Sequence, residues 1–513
     1  MAEPTALVID QQIDARIEEE MSKLEVAEEV RGVDEVPSID APASAAARLE
    51  STPPTRASMP RPRAAPNGTH QEMAASIVQF LTVNSVAPIF TRGEVWQYNG
   101  AEGAWKVVSS DTLKKLVTGY DLQPVGQKNF IRVTNALVES VVKLVHTAIA
   151  DRAALDAAVV GFAFKNGFVV VDACGIKLKA HSPEHRVTST NGVTYDPRAR
   201  RWRWLRFLIG VFQFDPDRKA KIRFIQEFIG ACLLGIAPHY EFVLVLLGEG
   251  SNGKSILMDV MKALFPPSTL SAVPPQQWGQ DYKKADLANA RLNAVAELPG
   301  RAILDSADFK AIVTGELVSA RQPYAPAFNF ACRAGHIFLA NSLPATPDLS
   351  HGFWRRFVVI KFNRKFVPGS PTTSKHQAPA KGRCTMIAEL TAELPGIWAW
   401  ALEGARNLLV RGRFEVPDSH SAVMAEWRRN TDPVQDFIES CCSPAGESET
   451  WARSRALYKT YRRWAEAAGH RQPLKERTFA TRLAASAHKR HDNRGASYEL
   501  VVLPDEEWRG GDG

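Results

Sequence analysis

Apolar residues follow two different periods in the middle of the chain. Residues 242–247 form a continuous apolar run, which is typical of a strand covered on both faces. After a glycine-rich loop, apolar residues recur with the spacing of one helix face, at Ile256, Leu257, Val260, Met261 and Leu264. Apolar stretches at 292–296, 336–340 and 357–362 predict further strands. Strands that alternate with helices predict an α/β fold with a mostly parallel sheet.

The segment ahead of this centre has a mixed pattern. Residues 74–81 and 136–148 have the periodicity of amphipathic helices. Residues 95–98 and 105–108 flank Asn99-Gly100, which predicts a β-hairpin. The mixture predicts an α+β leader domain before the sheet.

The two ends of the chain differ in composition from the middle. Residues 1–70 are rich in Glu, Ala, Pro and Ser and predict a disordered tail. The basic C-terminal segment contains a predicted helix at 474–489 and a strand at 498–503, which favours a winged-helix-like DNA-binding domain over a docking domain. The predicted organisation is a tail at 1–70, a leader domain at 71–205, a sheet core at 206–375, a helical connector at 376–430 and the C-terminal domain at 431–513.

Length and composition exclude several classes of protein. The 513 residues are 45% hydrophobic and 23% charged, which is ordinary for a globular protein of several domains. The longest strongly apolar run, residues 242–247, is far shorter than the roughly twenty residues of a membrane helix. The N-terminus lacks the pattern of a secretory signal, and the six cysteines show no CxxC spacing. The sequence therefore predicts a cytoplasmic protein with reduced thiols and no membrane partner.

Charge is distributed unevenly along the chain. Residues 1–50 contain 13 acidic and 4 basic residues, a net charge of −9. The whole chain carries +7, so the remaining residues together carry +16. A basic body predicts a polyanionic partner, most simply nucleic acid, and a solvated basic surface is the alternative.

A phosphate-binding motif follows the apolar run. Residues Gly248, Glu249, Gly250, Ser251, Asn252, Gly253, Lys254 and Ser255 fit the pattern G-x-x-x-x-G-K-[ST]. Glycines let the backbone turn and point N–H groups at phosphate oxygens, and the next helix aims its positive end at the same anion. The motif predicts that Lys254 reaches the β- and γ-phosphates of ATP and that Ser255 binds Mg²⁺.

Polar side chains stand at the ends of three predicted strands. Glu297 can hold Mg²⁺ or polarise an attacking water, and Asn341 can orient that water. Arg355 and Arg356 precede the strand at 357–362, where an arginine offered to a neighbouring subunit can neutralise transition-state charge. A surface acid, a turn-forming amide and a solvated basic pair are the alternatives.

Several segments follow one another in a specific order: FAFKNGFVVVD, GEGSNGKS, AVAELPG, FKAIVTGELVSARQPYAPAFNF, HIFLANSLPATPDLSHGFWRRFVVIKF and ELPGIWAWALEGARNLLVRGRFEVP. Over residues 90–505 this set resembles the superfamily 3 helicases of the phage/plasmid primase–helicase family, relatives of the poxvirus primase-helicase. The resemblance implies an AAA+ type P-loop ATPase core and a homo-hexameric ring that pulls single-stranded DNA through a central pore. It also implies a role in replication of a phage, prophage or plasmid, in the cytoplasm of a bacterial host.

The resemblance implies roles for individual residues. Lys254 and Ser255 correspond to the Walker A pair and Glu297 to the Walker B acid, so that Ser255 and Glu297 are the implied metal ligands. Asn341 corresponds to the sensor. Arg356 corresponds to the trans-acting arginine, with Arg355 as the alternative.

Candidate DNA contacts come from two places. The resemblance implies a DNA-gripping hairpin whose tip lies near Arg321 and Tyr324. Lys475, Arg477 and Arg482 belong to the basic C-terminal helix and are candidates for duplex contacts. Aromatic and basic residues also interleave at 198–207, where Trp202, Trp204 and Phe207 either stack on bases or form the core of a helix start.

Two departures from the family keep alternatives open. Ala296 stands where relatives often have a second acid, and Asp305 or Asp308 is a candidate replacement. Only about 70 residues precede the leader domain, so we expect no primer synthesis, and a separate primase is a candidate partner. The alternative function is a nucleotide-gated DNA-binding replication initiator with little or no unwinding, and a small-molecule kinase is a third interpretation.

Overall fold

The structure is a computed structural model that describes residues 62–91, 93–126, 129–151, 154–155, 159–298, 306–323, 326–344, 351–367, 377–379, 381–446, 450–468, 473–493 and 495–504. Most of the predicted N-terminal tail, Asp305 and Tyr324 lie outside these ranges. No helix in the described part is long and apolar enough to cross a membrane.

The first part of the described chain packs three helices against small antiparallel sheets. The elements are α1 (His70–Leu81), β1 (Ile89–Thr91), β2 (Glu94–Asn99), β3 (Ala104–Val108), α2 (Ser110–Thr118), β4 (Pro124–Val125), β5 (Asn129–Phe130) and α3 (Asn135–Ala148). Helix α1 starts with a capping box in which Thr69 and Glu72 each bond the other's backbone N–H. Ile77, Val117 and Val141 are buried between the helices. The predicted hairpin at 95–108 is confirmed as the β2–β3 pair.

A second antiparallel sheet packs against a later helix. It contains β6 (Gly161–Phe164), β7 (Gly167–Asp172) and β8 (Gly175–Lys179). The rings of Phe162 and Phe164 lie 4.5 and 4.9 Å from the ring of Trp398. Residues from the predicted leader domain therefore share one hydrophobic core with residues beyond position 375.

The central sheet is parallel, as predicted, and in the described residues it has five strands, four of which the apolar runs predicted. Its strands are β9 (Val243–Leu247), β10 (Leu270–Ser271), β11 (Leu292–Val295), β14 (Gly335–Ala340) and β15 (Phe357–Lys361), in the order β10-β11-β14-β9-β15. The strand that precedes the phosphate-binding motif, β9, thus lies between β14 and β15. Val243 to Leu246 are completely buried, which explains the unbroken apolar run.

Helices cover both faces of this sheet. They are α4 (Trp202–Val211), α5 (Arg218–Leu234), α6 (Lys254–Ala263), α7 (Asp281–Ala285), α8 (Ser306–Val313), α9 (His351–Trp354), α10 (Arg383–Thr391), α11 (Leu394–Arg411) and α12 (Ser419–Thr431). Helices α5 and α11 approach closely, since a Cβ on Gly230 would lie 2.3 Å from the Ala401 carbonyl oxygen. Trp204 is completely buried, so the core interpretation of this position holds.

Two short strand pairs are attached to the sheet. The hairpin of β12 (Leu317–Arg321) and β13 (Ala327–Ala331) lies between β11 and β14 in the sequence. After β15, β16 (Lys365–Val367) pairs with β17 (Gln377–Pro379).

The C-terminal part contains three helices and short strands. They are α13 (Pro433–Cys441), β18 (Cys442–Pro444), β19 (Ala452–Arg453), α14 (Ser454–Ala467), α15 (Glu476–Ser486), β20 (Lys489–Asp492), β21 (Gly495–Tyr498) and β22 (Leu500–Val502). The strand predicted at 498–503 is divided at Glu499, because β21 pairs with β19 and β20 whereas β22 pairs with β18. Val434, Leu457, Phe479 and Leu483 form a separate small core.

Candidate nucleotide site and DNA-binding elements

The loop at 248–255 begins at the carboxyl edge of the central sheet. Leu247 pairs with Ala340, and the Gly248 N–H donates to the Ala340 carbonyl at 3.1 Å. A Cβ on Gly248 would lie 2.8 Å from the carbonyl oxygen of Phe362, so a larger residue would collide with backbone there. Asn341 is the exposed residue directly after Ala340. The structure therefore brings Asn341 next to the start of the loop.

The backbone of the loop has the turns that a phosphate cradle needs. Ser251 and Gly253 adopt left-handed φ angles of 57° and 89°. Glu249 and Gly250 are exposed, whereas Asn252 is buried. Helix α6 then starts at Lys254 with no side-chain cap from the described residues, which leaves N–H groups of its first turn available to an anion.

Lys254 is held inside the loop. Its side chain is buried, and Nζ donates to the Gly248 carbonyl and, at 3.1 Å, to Asn252 Oδ1. Burial lowers the pKa of Lys254 below its usual value. The ammonium group thus lies among the loop's own oxygens, where phosphate oxygens can replace those acceptors.

Glu297 lies at the same edge of the sheet on the far side of β14. Val295 pairs with Phe338, and the Leu298 N–H donates to the Leu339 carbonyl at 2.7 Å. Glu297 and Ser255 are both exposed, so a carboxylate and a hydroxyl oxygen are open to solvent. These are ligand types that Mg²⁺ accepts together with phosphates and waters. Among the described residues, no group of three or more His, Cys, Asp or Glu could hold a metal by itself.

Asp308, a candidate replacement for the second acid, has a different contact. Its Oδ1 lies 3.5 Å from Lys284 Nζ, which also contacts Asp281 at 3.1 Å. Asp308 therefore forms an ion pair between α7 and α8.

The two candidate arginines lie at the opposite edge of the sheet. The Val243 N–H donates to the Arg356 carbonyl at 2.8 Å, so both arginines stand where β9 begins. A five-residue strand spans about 13 Å, so the loop at the other end of β9 is remote from them. Neither arginine is placed to reach the loop of its own chain.

The environments of these two arginines differ. Arg355 Nη2 lies 2.7 Å from Glu241 Oε2 and its side chain is 51% exposed. Arg356 is 4.0 Å from the same oxygen, is 9% exposed and donates from Nη1 to the Gly352 carbonyl. Arg355 is therefore the more accessible of the two.

Sequence reasoning missed two contacts, one at each edge of the sheet. Glu241 lies more than a hundred positions from Arg355, and Phe366 donates its N–H to the Ser251 carbonyl at 2.6 Å. Neither position stands in a motif, because both contacts depend on how the strands are ordered. A positive φ of 56° at Glu241 is the local sign that this residue is unusual.

The predicted DNA-binding residues have different surroundings. Arg321 is the exposed last residue of β12, beside the turn of the β12–β13 hairpin, and Tyr324 lies outside the described residues. Lys475 and Arg477 are exposed at the start of α15. Arg482 instead donates to the Thr431 carbonyl at 3.1 Å and lies 3.5 Å from Asp432, so it joins α15 to the preceding helices.

Three family models match separate segments of the chain. A model described as D5 N terminal like matches residues 89–213, a family of unknown function (DUF5906) matches 246–356, and Poxvirus D5 protein-like matches 429–504. These matches support a D5-like primase–helicase family for the chain. The two D5 matches flank the segment that carries the loop and the central sheet.

One curated relative and solved structures are also similar. A putative helicase L207/L206 of Acanthamoeba polyphaga mimivirus is 25% identical over 265 residues, which cover 49% of this chain and 27% of the relative. The chain thus spans about a quarter of that relative's length. An apo structure of the NrS-1 C-terminal region has 11% identity and a TM-score of 0.42, covering 83% of this chain and 99% of the other. A second apo structure of that region has 12% identity and a TM-score of 0.41, covering 69% of this chain and 74% of the other.

Proposed function

We propose that this chain is an ATP-dependent DNA helicase that acts in replication of a mobile genetic element such as a phage, prophage or plasmid. The observation that carries the proposal is the placement of Lys254, Glu297 and Asn341 at one edge of the parallel sheet, with Arg355 at the other. The named D5-like family and the putative helicase among its relatives support the same class of activity.

The chemistry of hydrolysis follows from this placement. Mg²⁺ bound with ATP supplies charge neutralisation at the phosphates. Lys254 would bind the β- and γ-phosphates, the Ser255 hydroxyl and the Glu297 carboxylate would hold the metal, and Asn341 would orient the attacking water. Glu297 accepts the proton of that water, a step that general-base catalysis accelerates by about 10²–10⁴-fold.

The arginines support an AAA+ type ring. An arginine that cannot reach its own loop can act only on the loop of a neighbouring subunit. When identical subunits contact one another head to tail through two different surfaces, they form a closed ring if the rotation from one subunit to the next divides a full turn. We therefore propose a homo-hexamer in which Arg355, with Arg356 behind it, completes the site of the next subunit.

DNA contacts are proposed at two elements. The β12–β13 hairpin is inserted between the strands that carry Glu297 and Asn341, so its movement can follow the state of the nucleotide. The order helix, two short strands, two helices and hairpin in residues 433–498 supports a winged-helix interpretation of the C-terminal domain. Arg321 is the proposed contact for single-stranded DNA, and Lys475 and Arg477 are those for duplex DNA.

The test of the proposed function is ATP hydrolysis with and without single-stranded DNA, followed by strand separation on a forked duplex. We expect DNA to stimulate hydrolysis and ATP to be required for unwinding. Ala296 beside Glu297 favours the second candidate, a nucleotide-gated initiator. Site-specific duplex binding with slow hydrolysis that DNA does not change would support the initiator and contradict the helicase.

Replacing Glu297 with glutamine should separate nucleotide binding from hydrolysis. The amide keeps the shape of the side chain and an oxygen that can hold the metal, but it cannot accept the proton, so we expect hydrolysis to fall by about 10²-fold or more while ATP affinity is kept. Calorimetric ATP titration and phosphate release would measure both quantities. Glu316→Gln, at another exposed acid of the core, is the matched control. Unchanged hydrolysis in Glu297→Gln would exclude Glu297 as the base.

Removing Lys475 and Arg477 together should weaken duplex binding without unfolding the C-terminal domain. Both side chains are exposed. The slope of the logarithm of the binding constant against the logarithm of the salt concentration should fall in magnitude by about one for each side chain that no longer neutralises a phosphate. Fluorescence anisotropy over a range of salt concentrations measures this slope. Arg482→Ala is the contrast, because its bonds with Thr431 and Asp432 predict a lower melting temperature instead. An unchanged slope in the double variant would remove this helix start from the interface.

A further inference from the structure

Two segments form walls beside the loop at 248–255. Residues 362–366 follow β15, and the N–H groups of Phe362 and Phe366 donate to the carbonyls of Leu247 and Ser251 at 2.8 and 2.6 Å. A Cβ on Gly253 would lie 3.0 Å from Val211 Cγ2, so α4 also borders the loop. Residues 362–366 and α4 are therefore two walls beside the loop.

An arginine joins these two walls. Arg364 Nη1 donates to the Gly210 carbonyl and to Gln213 Oε1, both at 2.5 Å. Its guanidinium lies over the rings of Phe214 and Phe366, 5.6 and 5.5 Å from their centroids. These are cation–π distances, so the three side chains form a stack of flat, polarizable groups. The hydrogen bonds to Gly210 and Gln213 hold the plane of the guanidinium in place.

The stack lies within reach of a nucleotide bound at the loop. Phe366 bonds directly to Ser251, and two residues of chain from Phe366 to Arg364 span at most about 7 Å. Phe214 is 42% exposed although it is a large apolar side chain. An aromatic ring that is partly exposed to solvent near this loop has the chemical properties that allow stacking on a nucleobase.

We propose that Phe214, Arg364 and Phe366 form the pocket for the base of the nucleoside triphosphate whose phosphates bind at residues 248–255. This proposal rests on the nucleotide site proposed above and adds the subsite that distinguishes a nucleotide from inorganic phosphate chains. The base stacks on the exposed part of the Phe214 ring, and the fixed guanidinium contacts the same ring. No covalent step is involved.

The chemistry of the ligand gives a direct test. ATP carries a base and a triphosphate, whereas inorganic tripolyphosphate carries only the phosphates. A residue that stacks on the base should affect the binding of ATP alone, and a residue that shapes the loop should affect the binding of both. Full-length Phe214→Ala, Phe214→Leu and Phe214→Trp would be titrated with each ligand in the presence of Mg²⁺ by calorimetry.

We expect Phe214→Ala to weaken ATP binding by about 5- to 100-fold and to leave tripolyphosphate binding unchanged. Phe214→Leu, which keeps apolar bulk without a π face, should lose ATP affinity in the same way, and Phe214→Trp should retain it. Tyr282→Ala, at another exposed aromatic residue, is the matched control and should bind both ligands as the wild type does.

Two results would overturn the proposal, and they are distinguishable. An equal loss of ATP and tripolyphosphate affinity in Phe214→Ala, or no loss for either, would show that Phe214 does not contact the base. Wild-type protein that binds neither ligand, or Lys254→Ala protein that binds both normally, would instead overturn the nucleotide site itself and the base pocket with it.

Discussion

Lys254→Ala is expected to abolish ATP hydrolysis and, with it, strand separation. Lys254 Nζ is the buried cation of the phosphate loop, and in the structure it satisfies the Gly248 carbonyl and Asn252 Oδ1. Without Lys254, the negative charge that develops on the transferred phosphoryl group in the transition state loses one stabilising donor. One such donor contributes about 10²–10³-fold to a rate. Phosphate release with saturating single-stranded DNA measures the loss.

The variant needs a check on folding because Lys254 also has a structural role. Its removal leaves two oxygens of the loop without this donor, at a cost of about 1–3 kcal/mol for a buried group. Thermal melting followed by circular dichroism would show whether that cost unfolds the protein. Lys262→Ala, at the end of the same helix, is the matched control and should hydrolyse ATP normally. Unwinding that survives in folded Lys254→Ala protein would contradict a motor driven by this site.

The strand, loop and helix at 243–263 could be predicted from the sequence because their determinants are local. The buried strand β9, the turn glycines and the apolar face of α6 lie within about twenty consecutive residues. Hydrophobic periodicity and the G-x-x-x-x-G-K-[ST] spacing both report on neighbours in the chain. The positions of Glu297 and Asn341 were also predictable, since parallel strands place their carboxyl ends at one edge.

Contacts between distant segments were not predictable in this way. The stack of Phe214, Arg364 and Phe366 joins residues about 150 positions apart, and no periodicity refers to such a separation. Arg482 was a candidate DNA contact because its helix is basic, yet its guanidinium faces Asp432 and the Thr431 carbonyl. Composition gives the charge of a helix, and only packing decides which of its charges face solvent.

The interleaved segment at 198–207 illustrates the same limit. Sequence alone allowed either base stacking or a helix core for Trp204, because a tryptophan suits both. The structure places Trp204, Leu205 and Leu208 on the buried face of α4, and Arg203 and Arg206 are exposed. The helical period was visible beforehand, but the surface that would cover this face lies in α11, some two hundred residues later.

Arg355→Ala is expected to eliminate most ATP hydrolysis while leaving ATP binding intact. An arginine that neutralises the transferred phosphoryl group contributes about 10³–10⁵-fold to the rate. Arg355 is half-exposed at the edge of the sheet opposite the loop, whereas Arg356 is largely buried. Although the family resemblance named Arg356 first, accessibility favours Arg355 as the residue offered to a neighbour. Arg356→Ala should lower the melting temperature because it removes a buried hydrogen bond to Gly352.

Mixing two inactive variants would decide whether Arg355 acts across an interface. In Arg355→Ala subunits the phosphate loop is intact, and in Lys254→Ala subunits the arginine is intact. When the two are mixed before assembly, roughly a quarter of head-to-tail interfaces in a ring combine both intact groups, so hydrolysis should reappear at about that fraction of the wild-type rate. Arg462→Ala, which removes another exposed, ion-paired arginine, is the matched control and should be active alone.

A mixture that remains inactive, although both variants assemble with wild-type subunits, would show that Arg355 acts within its own chain or not at all. The geometry argues against action within the chain, because β9 separates Arg355 from the loop by about 13 Å.

Glu241 gives a further reason to expect action between subunits. Its carboxylate holds Arg355 at 2.7 Å while half of the arginine side chain stays in solvent. An ion pair with this degree of exposure contributes only about 0–1 kcal/mol to the free energy of unfolding. It nevertheless limits the directions in which the guanidinium can point. We therefore expect the pair to present the arginine at the sheet edge to the phosphates of a neighbouring subunit.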